Sequence, residues 1–261
     1  MYNFASVYIV LIIKKKLMKT LIIIPSRLSA TRLPGKPLLK INGLSIISHV
    51  FRKAQLANIG EVIVATEDKE IADDVKQNGG QAILTKNDHK TGTDRIYEAL
   101  QKIGDSDIDL VMNLQGDEPL MDVDDIRKLN NQMIKNKSGL GTLASIIIDK
   151  KLHHDQNVVK VSTDKTLNNN NFPEAINFMR NTDMKANNIY HHLGIYCYKK
   201  EILQAFVSHD QSTNEVKNKL EQLRAIDNNI QINVALAKSS PIGVDTKEDL
   251  IAIKKIMEYK S

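Results

Sequence analysis

Leu21-Ile22-Ile23-Ile24-Pro25-Ser26-Arg27-Leu28-Ser29-Ala30-Thr31-Arg32-Leu33-Pro34-Gly35-Lys36-Pro37 opens on four consecutive aliphatic residues and closes on a loop with three cations and no acid. A short apolar run without alternation, stopped by Pro25, reads as a strand covered on both faces. Such strands belong to parallel sheets layered between helices. A polar loop directly after one lies at the carboxyl end of the sheet, where open α/β folds bind ligands.

The chain keeps this rhythm on the C-terminal side. Ser45 to Ala57 predicts an amphipathic helix with Ile46, Ile47, Val50, Phe51 and Ala54 on one face. Glu61 to Ala65 reads as a strand, Lys69 to Asn78 as a helix closed by Gly79-Gly80, and Gln81 to Leu84 as a third strand. Thr93 to Ile103 is helical, and Ile108 to Leu114 is a buried strand ending in Gln115-Gly116-Asp117-Glu118-Pro119. Alternation of this kind implies a mostly parallel sheet covered by helices. After Gly141 strands begin to follow one another: Leu143 to Ile148, Val158 to Ser162 and Ile189 to Tyr198, with a polar loop at Asn168 to Asn171. Residues from about 141 to 200 therefore read as a partly antiparallel lobe. Helix Asn214 to Ile226, strand Ile230 to Leu236 and helix Thr246 to Tyr259 return to the main layer.

The 261 residues, 42% of them hydrophobic, suffice for one large core. The single cysteine, Cys197, excludes an intramolecular disulfide and fits a reducing compartment such as the cytoplasm. A net charge of +5 invites a nucleic-acid reading, but ten basic residues precede Glu61, the first acid. Everything from Glu61 onward carries 26 basic residues against 31 acidic. The positive charge is local, and aromatics at 5% with no Trp leave few platforms for stacking bases. At the N-terminus, the apolar stretch Phe4 to Ile13 is about half the length needed to span a bilayer, and its lysines follow it instead of preceding it. Residues 1–17 are expected to be a non-essential extension, and 18–261 one domain that engages neither nucleic acid nor membrane.

Three clusters carry chemistry. In the basic loop, backbone N–H groups around Gly35 together with Arg27, Arg32 and Lys36 suit a polyphosphate. It is not a P-loop, because Ala30 stands five before Gly35 where a glycine is required, and Pro37 replaces the Ser or Thr. Asp117 with Glu118, at another strand end, suits magnesium, which takes one or two carboxylates and completes its shell with phosphate oxygen and water. Asp245, in Gly243-Val244-Asp245-Thr246, reads either as a helix N-cap or as a second metal carboxylate beside Asp117. Thr91-Gly92-Thr93-Asp94-Arg95 reads equally as a helix cap or as a close approach to a base or ribose. Strand alternation sends His191 and His192 to opposite faces, so at most one of them can enter a given cleft.

Taken together, Pro25-Ser26-Arg27 through Thr31-Arg32-Leu33-Pro34-Gly35-Lys36-Pro37, Val64-Ala65-Thr66, Gly92-Thr93, Asn113-Leu114-Gln115-Gly116-Asp117-Glu118-Pro119, His192-Leu193-Gly194-Ile195-Tyr196, Leu220-Glu221-Gln222-Leu223-Arg224 and Gly243-Val244-Asp245-Thr246 resemble the 3-deoxy-manno-octulosonate cytidylyltransferase (CMP-KDO synthetase) family. The resemblance runs from about Met18 to the C-terminus. It implies a Rossmann-like fold of the nucleotide-diphospho-sugar transferase type, with the lobe binding sugar and mediating dimerisation. It also implies a cytoplasmic homodimer and a magnesium-dependent reaction of CTP with 3-deoxy-D-manno-octulosonate (KDO) in lipopolysaccharide biosynthesis. Carried over motif by motif, it assigns Arg27 and Lys36 to the triphosphate, with Arg32 beside them. Ala65, Thr66 and Gly92 fall to the cytidine, and Asp117 and Asp245 to magnesium. Gln115, Arg180, His192, Glu221 and Gln222 fall to the sugar acid, with Arg27, Lys36 and Asp117 as the catalytic set. Around Phe178-Met179-Arg180-Asn181 the chain departs from the family pattern, with Met179 in place of a small residue and no Pro-rich continuation. Other sugar nucleotidyltransferases, such as CMP-sialic acid synthetase or a sugar-1-phosphate nucleotidyltransferase, are the nearest alternatives. A catalytically silent homologue is the more distant one.

Overall fold

The computed structural model describes residues 18–29, 32–104, 106–182 and 187–258; the extension expected at 1–17, and Ala30 and Thr31 of the basic loop, lie outside the described residues. The chain runs β1 (Lys19–Ser26), β2 (Lys40–Ile41), β3 (Leu44–Ser45), α1 (Ile46–Ala57), β4 (Gly60–Thr66), α2 (Lys69–Gln77), β5 (Ala82–Leu84), α3 (Gly92–Ile103) and β6 (Ile108–Asn113). It continues through α4 (Val123–Asn136), β7 (Leu140–Ser145), β8 (Lys160–Thr163), β9 (Ala175–Met179), β10 (Ile189–Lys199), α5 (Lys200–Ser208), α6 (Thr213–Asn218), α7 (Leu223–Asp227), β11 (Asn233–Leu236) and α8 (Lys247–Glu258). The main sheet has the order β11-β7-β10-β6-β1-β4-β5, with β8 attached to β10 and β9 to β8. β1 pairs in parallel with β4 and β6, β4 with β5 and β7 with β11, whereas β10 runs antiparallel to β6, β7 and β8. The fold is therefore α/β on a mostly parallel sheet.

β1 shows why. Leu21 and Ile23 join Ile96, Ala99, Leu100, Leu203 and Phe206 on one face of the sheet, while Ile22 and Ile24 join Val50, Phe51, Ile71, Ile126 and Leu129 on the other. All four are at most 1% exposed. Burial of each such side chain is worth about 1.5–3 kcal/mol of transfer free energy, and the period of two in a strand shares it between both helical layers.

Pro25 does not stop the strand, contrary to the sequence reading. The ladder to β4 runs on through Pro25↔Ala65 and Ser26↔Thr66, whereas pairing to β6 ends at Ile23↔Asn113. Proline is tolerated at such a strand end, where its missing N–H faces no partner strand. The lobe is also smaller than expected. β7 and most of β10 lie inside the main sheet, so the antiparallel addition reduces to β8, β9 and the first residues of β10, and β9 went unread as a strand. The helix expected over Asn214 to Ile226 is broken in two, because Lys219 takes a left-handed φ of 53° that ends α6. α4 and α5 were not anticipated. In α4 only Ile126, Leu129 and Met133 mark the apolar face, among Asp, Asn and Lys.

At the start of β4, a Cβ placed on Gly60 would lie 1.8 Å from the backbone oxygen of Thr20, its partner in the ladder. Gly60→Ala is expected to cost about 3 kcal/mol or more, because the obstacle is backbone that cannot rotate away. Urea unfolding with a midpoint unchanged from the parent would refute this.

Candidate active site

The two strands at the switch point part company at their carboxyl ends. Chain growth moves from β1 to β4 and β5 on one side, then crosses back to β6 on the other, and this reversal opens a crevice beyond β1 and β6. A cleft of about 370 Å³ occupies it, lined by Ser26 at the end of β1 and Arg27 after it, Gln115 and Asp117 after β6, and Thr91 and Gly92 at the start of α3. Gly116 turns the chain under it. A Cβ there would come within 2.9 Å of the Pro25 carbonyl, so the close approach of the two strand ends requires glycine.

The basic loop is tied at both ends. The Leu28 N–H donates to Asp68 Oδ2 at 2.7 Å, and the Gly35 N–H reaches back to the Leu28 carbonyl at 3.4 Å. Gly35 itself has φ 66°, the left-handed turn that leads into a short 3-10 helix, Lys36–Leu38. That turn places Lys36 across the cleft. Its ammonium donates to Asp117 Oδ2 at 2.6 Å and to Asp245 Oδ1 at 3.3 Å, and Arg32 lies 3.1 Å from Asp245 Oδ2. Burial pulls the Lys36 ammonium toward a lower pKa, but the charges of Asp117 and Asp245 outweigh it and leave its pKa above the ordinary 10.5.

The two carboxylates are brought together by backbone. The Val244 N–H donates to the Asp117 carbonyl at 2.9 Å, stitching the loop before α8 to the turn after β6. Asp245 does not cap α8. Thr246 Oγ1 accepts from the Asp249 N–H at 3.1 Å, and Asp249 Oδ2 accepts from the N–H groups of Thr246 and Asp245 at 2.8 and 3.1 Å. The Asp245 carboxylate is thereby left to the cleft. Beside it, the Glu118 carboxyl is pushed up to about 8, first by burial and then by the charge of Asp117, and the Gly194 N–H only partly offsets this. Its Oε2 is buried without a hydrogen-bond partner among the described residues.

Two carboxylates converging on one point charge form a hard-oxygen donor set, which fits a magnesium ion. Among the described residues no three metal-ligating side chains cluster, so any such ion would draw the rest of its shell from ligand and water.

Of the residues singled out in the sequence, Arg27, Arg32, Lys36, Gly92, Gln115, Asp117 and Asp245 line the cleft. Ala65 and Thr66 are fully buried at the end of β4, where Thr66 Oγ1 accepts the Asp68 N–H at 3.1 Å and so shapes the loop that holds Leu28. Arg180 lies apart from the cleft lining. Its guanidinium donates to the carbonyls of Gln156, Asn218 and Lys219 at 2.9–3.1 Å, joining α6 to the lobe. Glu221 and Gln222 sit between α6 and α7. Lys90 and Arg95 also line the cleft and were not assigned from sequence, although a lysine just ahead of a helix cap after a strand is a readable signal. Arg95 is 3% exposed and holds Thr85 Oγ1 at 2.6 Å, the Lys86 carbonyl at 3.1 Å and Glu67.

The two histidines do diverge. His191 Nδ1 meets Ser240 Oγ at 2.6 Å, whereas His192 packs edge-on against Phe178 at 5.1 Å. Thr142 donates its hydroxyl to the Ile195 carbonyl at 2.7 Å, so its oxygen accepts from His192 Nε2 at 3.0 Å and places the ring proton on that nitrogen.

The family model described as Cytidylyltransferase matches residues 21–232. A 3-deoxy-manno-octulosonate cytidylyltransferase of Rhodopseudomonas palustris is 42% identical over 92% of this chain and 98% of its own length. One from Bartonella tribocorum is 40% identical over 92% and 99%. The structure of a CMP:2-keto-3-deoxy-manno-octonic acid synthetase complexed with CTP superposes with a TM-score of 0.84 at 33% identity, covering 93% of this chain and all of the other.

Burial lowers the His192 pKa from 6.5 to about 3. The unfolded chain takes up a proton below pH 6.5 and the folded one does not, so stability falls as pH drops from 6.5 toward 3. This residue should account for about 2 kcal/mol lost between pH 7 and 5. Urea unfolding at the two pH values should give a correspondingly shallower loss in His192→Gln, and equal losses would count against the assignment.

Proposed function

This chain belongs to the 3-deoxy-manno-octulosonate cytidylyltransferase family, and from that membership and the cleft we infer that it catalyses CTP + KDO → CMP-KDO + diphosphate. The observation that carries the reading is the meeting of Lys36, Asp117 and Asp245 at the switch point, between a cationic loop and the N-terminus of a helix.

The chemistry is in-line attack of the sugar's anomeric hydroxyl on the α-phosphorus of CTP, with diphosphate leaving. Charge builds on phosphate oxygens, so fixed cations and exact placement supply most of the acceleration. Arg27, Arg32 and Lys36 present that charge from one wall, and Lys90 stands on the opposite wall before α3. The ammonium of Lys36 is already oriented by its two carboxylates, so little reorganisation is needed when a triphosphate arrives. Gly92 has no side chain to hold the cytidine off the α3 N-terminus. Gln115 lines the cleft and shares the neighbourhood of Gly194 with Glu118; on this reading Gln115, Glu118 and Glu221 order the sugar's hydroxyls. Asp117 and Asp245 are the residues that would hold magnesium. Once bound, the ion would neutralise phosphate charge and lower the pKa of the attacking hydroxyl.

The same reading places the enzyme in the cytoplasm as a homodimer acting in lipopolysaccharide biosynthesis. Two observations support it: Cys197 is a buried free thiol, and the segment after β7 and strand β9 expose apolar side chains. Ile146 is 60%, Ile148 91% and Ile176 55% exposed, the first two after β7 and the last on β9, whose ladder partner is β8 and whose first residue, Ala175, also donates its N–H to the Ile232 carbonyl at 2.8 Å. Exposed apolar side chains of this size are expected to be covered by a second copy.

Purified protein should release diphosphate from CTP with KDO, and much less with UTP or sialic acid. Asp117→Asn and Asp245→Asn should each lower kcat about 100-fold or more while leaving the melting temperature within a few degrees. Near-parental turnover in either variant would remove the metal assignment. Light scattering should give twice the mass of the 29.3 kDa chain, and Ile148→Glu should halve it; a parental monomer would refute the dimer.

A further inference from the structure

Arg224, 2% exposed, is the largest fully buried side chain among the described residues, and it lies outside the cleft. Its Nε and Nη2 form a two-pronged pair with Glu215 at 2.8 and 2.7 Å, and its guanidinium lies 4.7 Å from the centre of the Phe206 ring. The third nitrogen, Nη1, reaches Asp94 Oδ1 at 3.4 Å.

Asp94 is the third residue of α3. Its other oxygen, Oδ2, accepts the N–H and the hydroxyl of Thr91 at 3.1 and 2.9 Å, while the Asp94 N–H returns to Thr91 Oγ1 at 3.3 Å. The cap is complete without Oδ1, so Arg224 holds an oxygen the helix itself does not need. This first turn of α3 is also the turn that lines the cleft with Thr91 and Gly92. On its far side stands Glu221, whose backbone carbonyl accepts the Arg224 N–H at 3.0 Å and whose Oε1 is buried with no partner among the described residues; the hydroxyls of Thr93 and Thr91 favour its charged form against burial. One turn of helix thus touches the nucleotide cleft and a buried acid with an open acceptor.

A buried ion pair gives little net stability compared with apolar packing of the same volume. A guanidinium paired with one acid and directed at a second is better suited to orientation. We propose that Arg224 is a positioning residue that couples the two halves of the substrate site: through Asp94 it sets the first turn of α3 against the nucleotide, and through that turn it sets Glu221 toward the sugar acid. The proposal rests on the reading above that the two halves take CTP and KDO. Displacing the turn then weakens binding of both substrates, although Arg224 touches neither.

The test compares Asp94→Asn, Arg224→Lys and Glu221→Gln by diphosphate-release kinetics, calorimetric titration with CTP, and thermal melts. Asn at 94 keeps its one acceptor oxygen for the Thr91 cap, leaves the Arg224 and Glu215 pair intact, and replaces the charged acceptor facing Arg224 with an amide NH2 that cannot accept. Asp94→Asn and Arg224→Lys should each raise the KM for CTP and for KDO about 10-fold, with kcat within about threefold. Glu221→Gln should raise the KM for KDO alone. A merely structural role would lower the folded fraction and the apparent kcat while leaving both KM values at the parental level, and that result overturns the proposal. If Arg224→Lys does not fold, the CTP affinity of Asp94→Asn decides, and an unchanged Kd overturns the coupling. Parental protein that binds CTP but releases no diphosphate with KDO would defeat the functional reading instead, a distinct outcome.

Discussion

β1 is paired with β4 to its last residue but with β6 only as far as Ile23. Most of the site follows from this unequal pairing. With both faces of the strand covered by apolar side chains, a polar group can be placed only where the strand ends, and one neighbour must have left for there to be room. The departure of β6 after Asn113 provides that room, and the glycine at 116 lets the departing chain pass under the Pro25 carbonyl. Arg27, Gln115 and Asp117 line the same opening because they are the first polar side chains beyond the apolar ladder. Chemistry at a strand end is here the consequence of a core that excludes it elsewhere.

The second constraint is electrostatic. Three cations beside two carboxylates, with a third acid buried behind them, would repel as well as attract if left unordered. The structure resolves this by threading Lys36 between Asp117 and Asp245 and by pushing Glu118 toward its neutral form. Arg32 and Lys36 are thereby paired before a ligand enters, while Arg27 and Lys90 remain exposed to one and keep the cleft net positive. A tetra-anionic nucleotide has positive charge to meet, and the carboxylates remain accessible to a cation that travels with it. The site is organised around exchange of charge partners, which a simple excess of positive charge would not allow.

Legibility from the sequence followed the strength of local pattern. β1, β4, β6, α1 and α3 could be read because apolar runs or 3.6-residue spacing coincide with their caps. Lys36, Asp117 and Asp245 could be read because each sits at an element boundary within a motif. α4 could not, since its three apolar anchors are diluted by Asp, Asn and Lys, and its stability comes from packing on α1 and β7. The break at Lys219 could not be read either, because a left-handed lysine has no compositional signal. Pro25 misled because its cost depends on which neighbour strand is present at that height. Arg180 matched a motif position, yet its guanidinium is engaged by three carbonyls on segments whose proximity only the fold creates.

The net charge of +5 shows how far composition can mislead. The ten cations before Glu61 exceed the whole net charge, and of the described ones there, Arg32 and Lys36 are engaged with acids more than eighty residues away along the chain. A polyanion such as DNA is bound by a convex or grooved surface of unpaired cations, whose affinity comes from releasing counterions. Here the counterions are the protein's own carboxylates, fixed in a concave cleft only a few residues wide. Such an arrangement suits a compact anion that can take over Lys36 and Arg32 from their carboxylates, as the proposed reading requires.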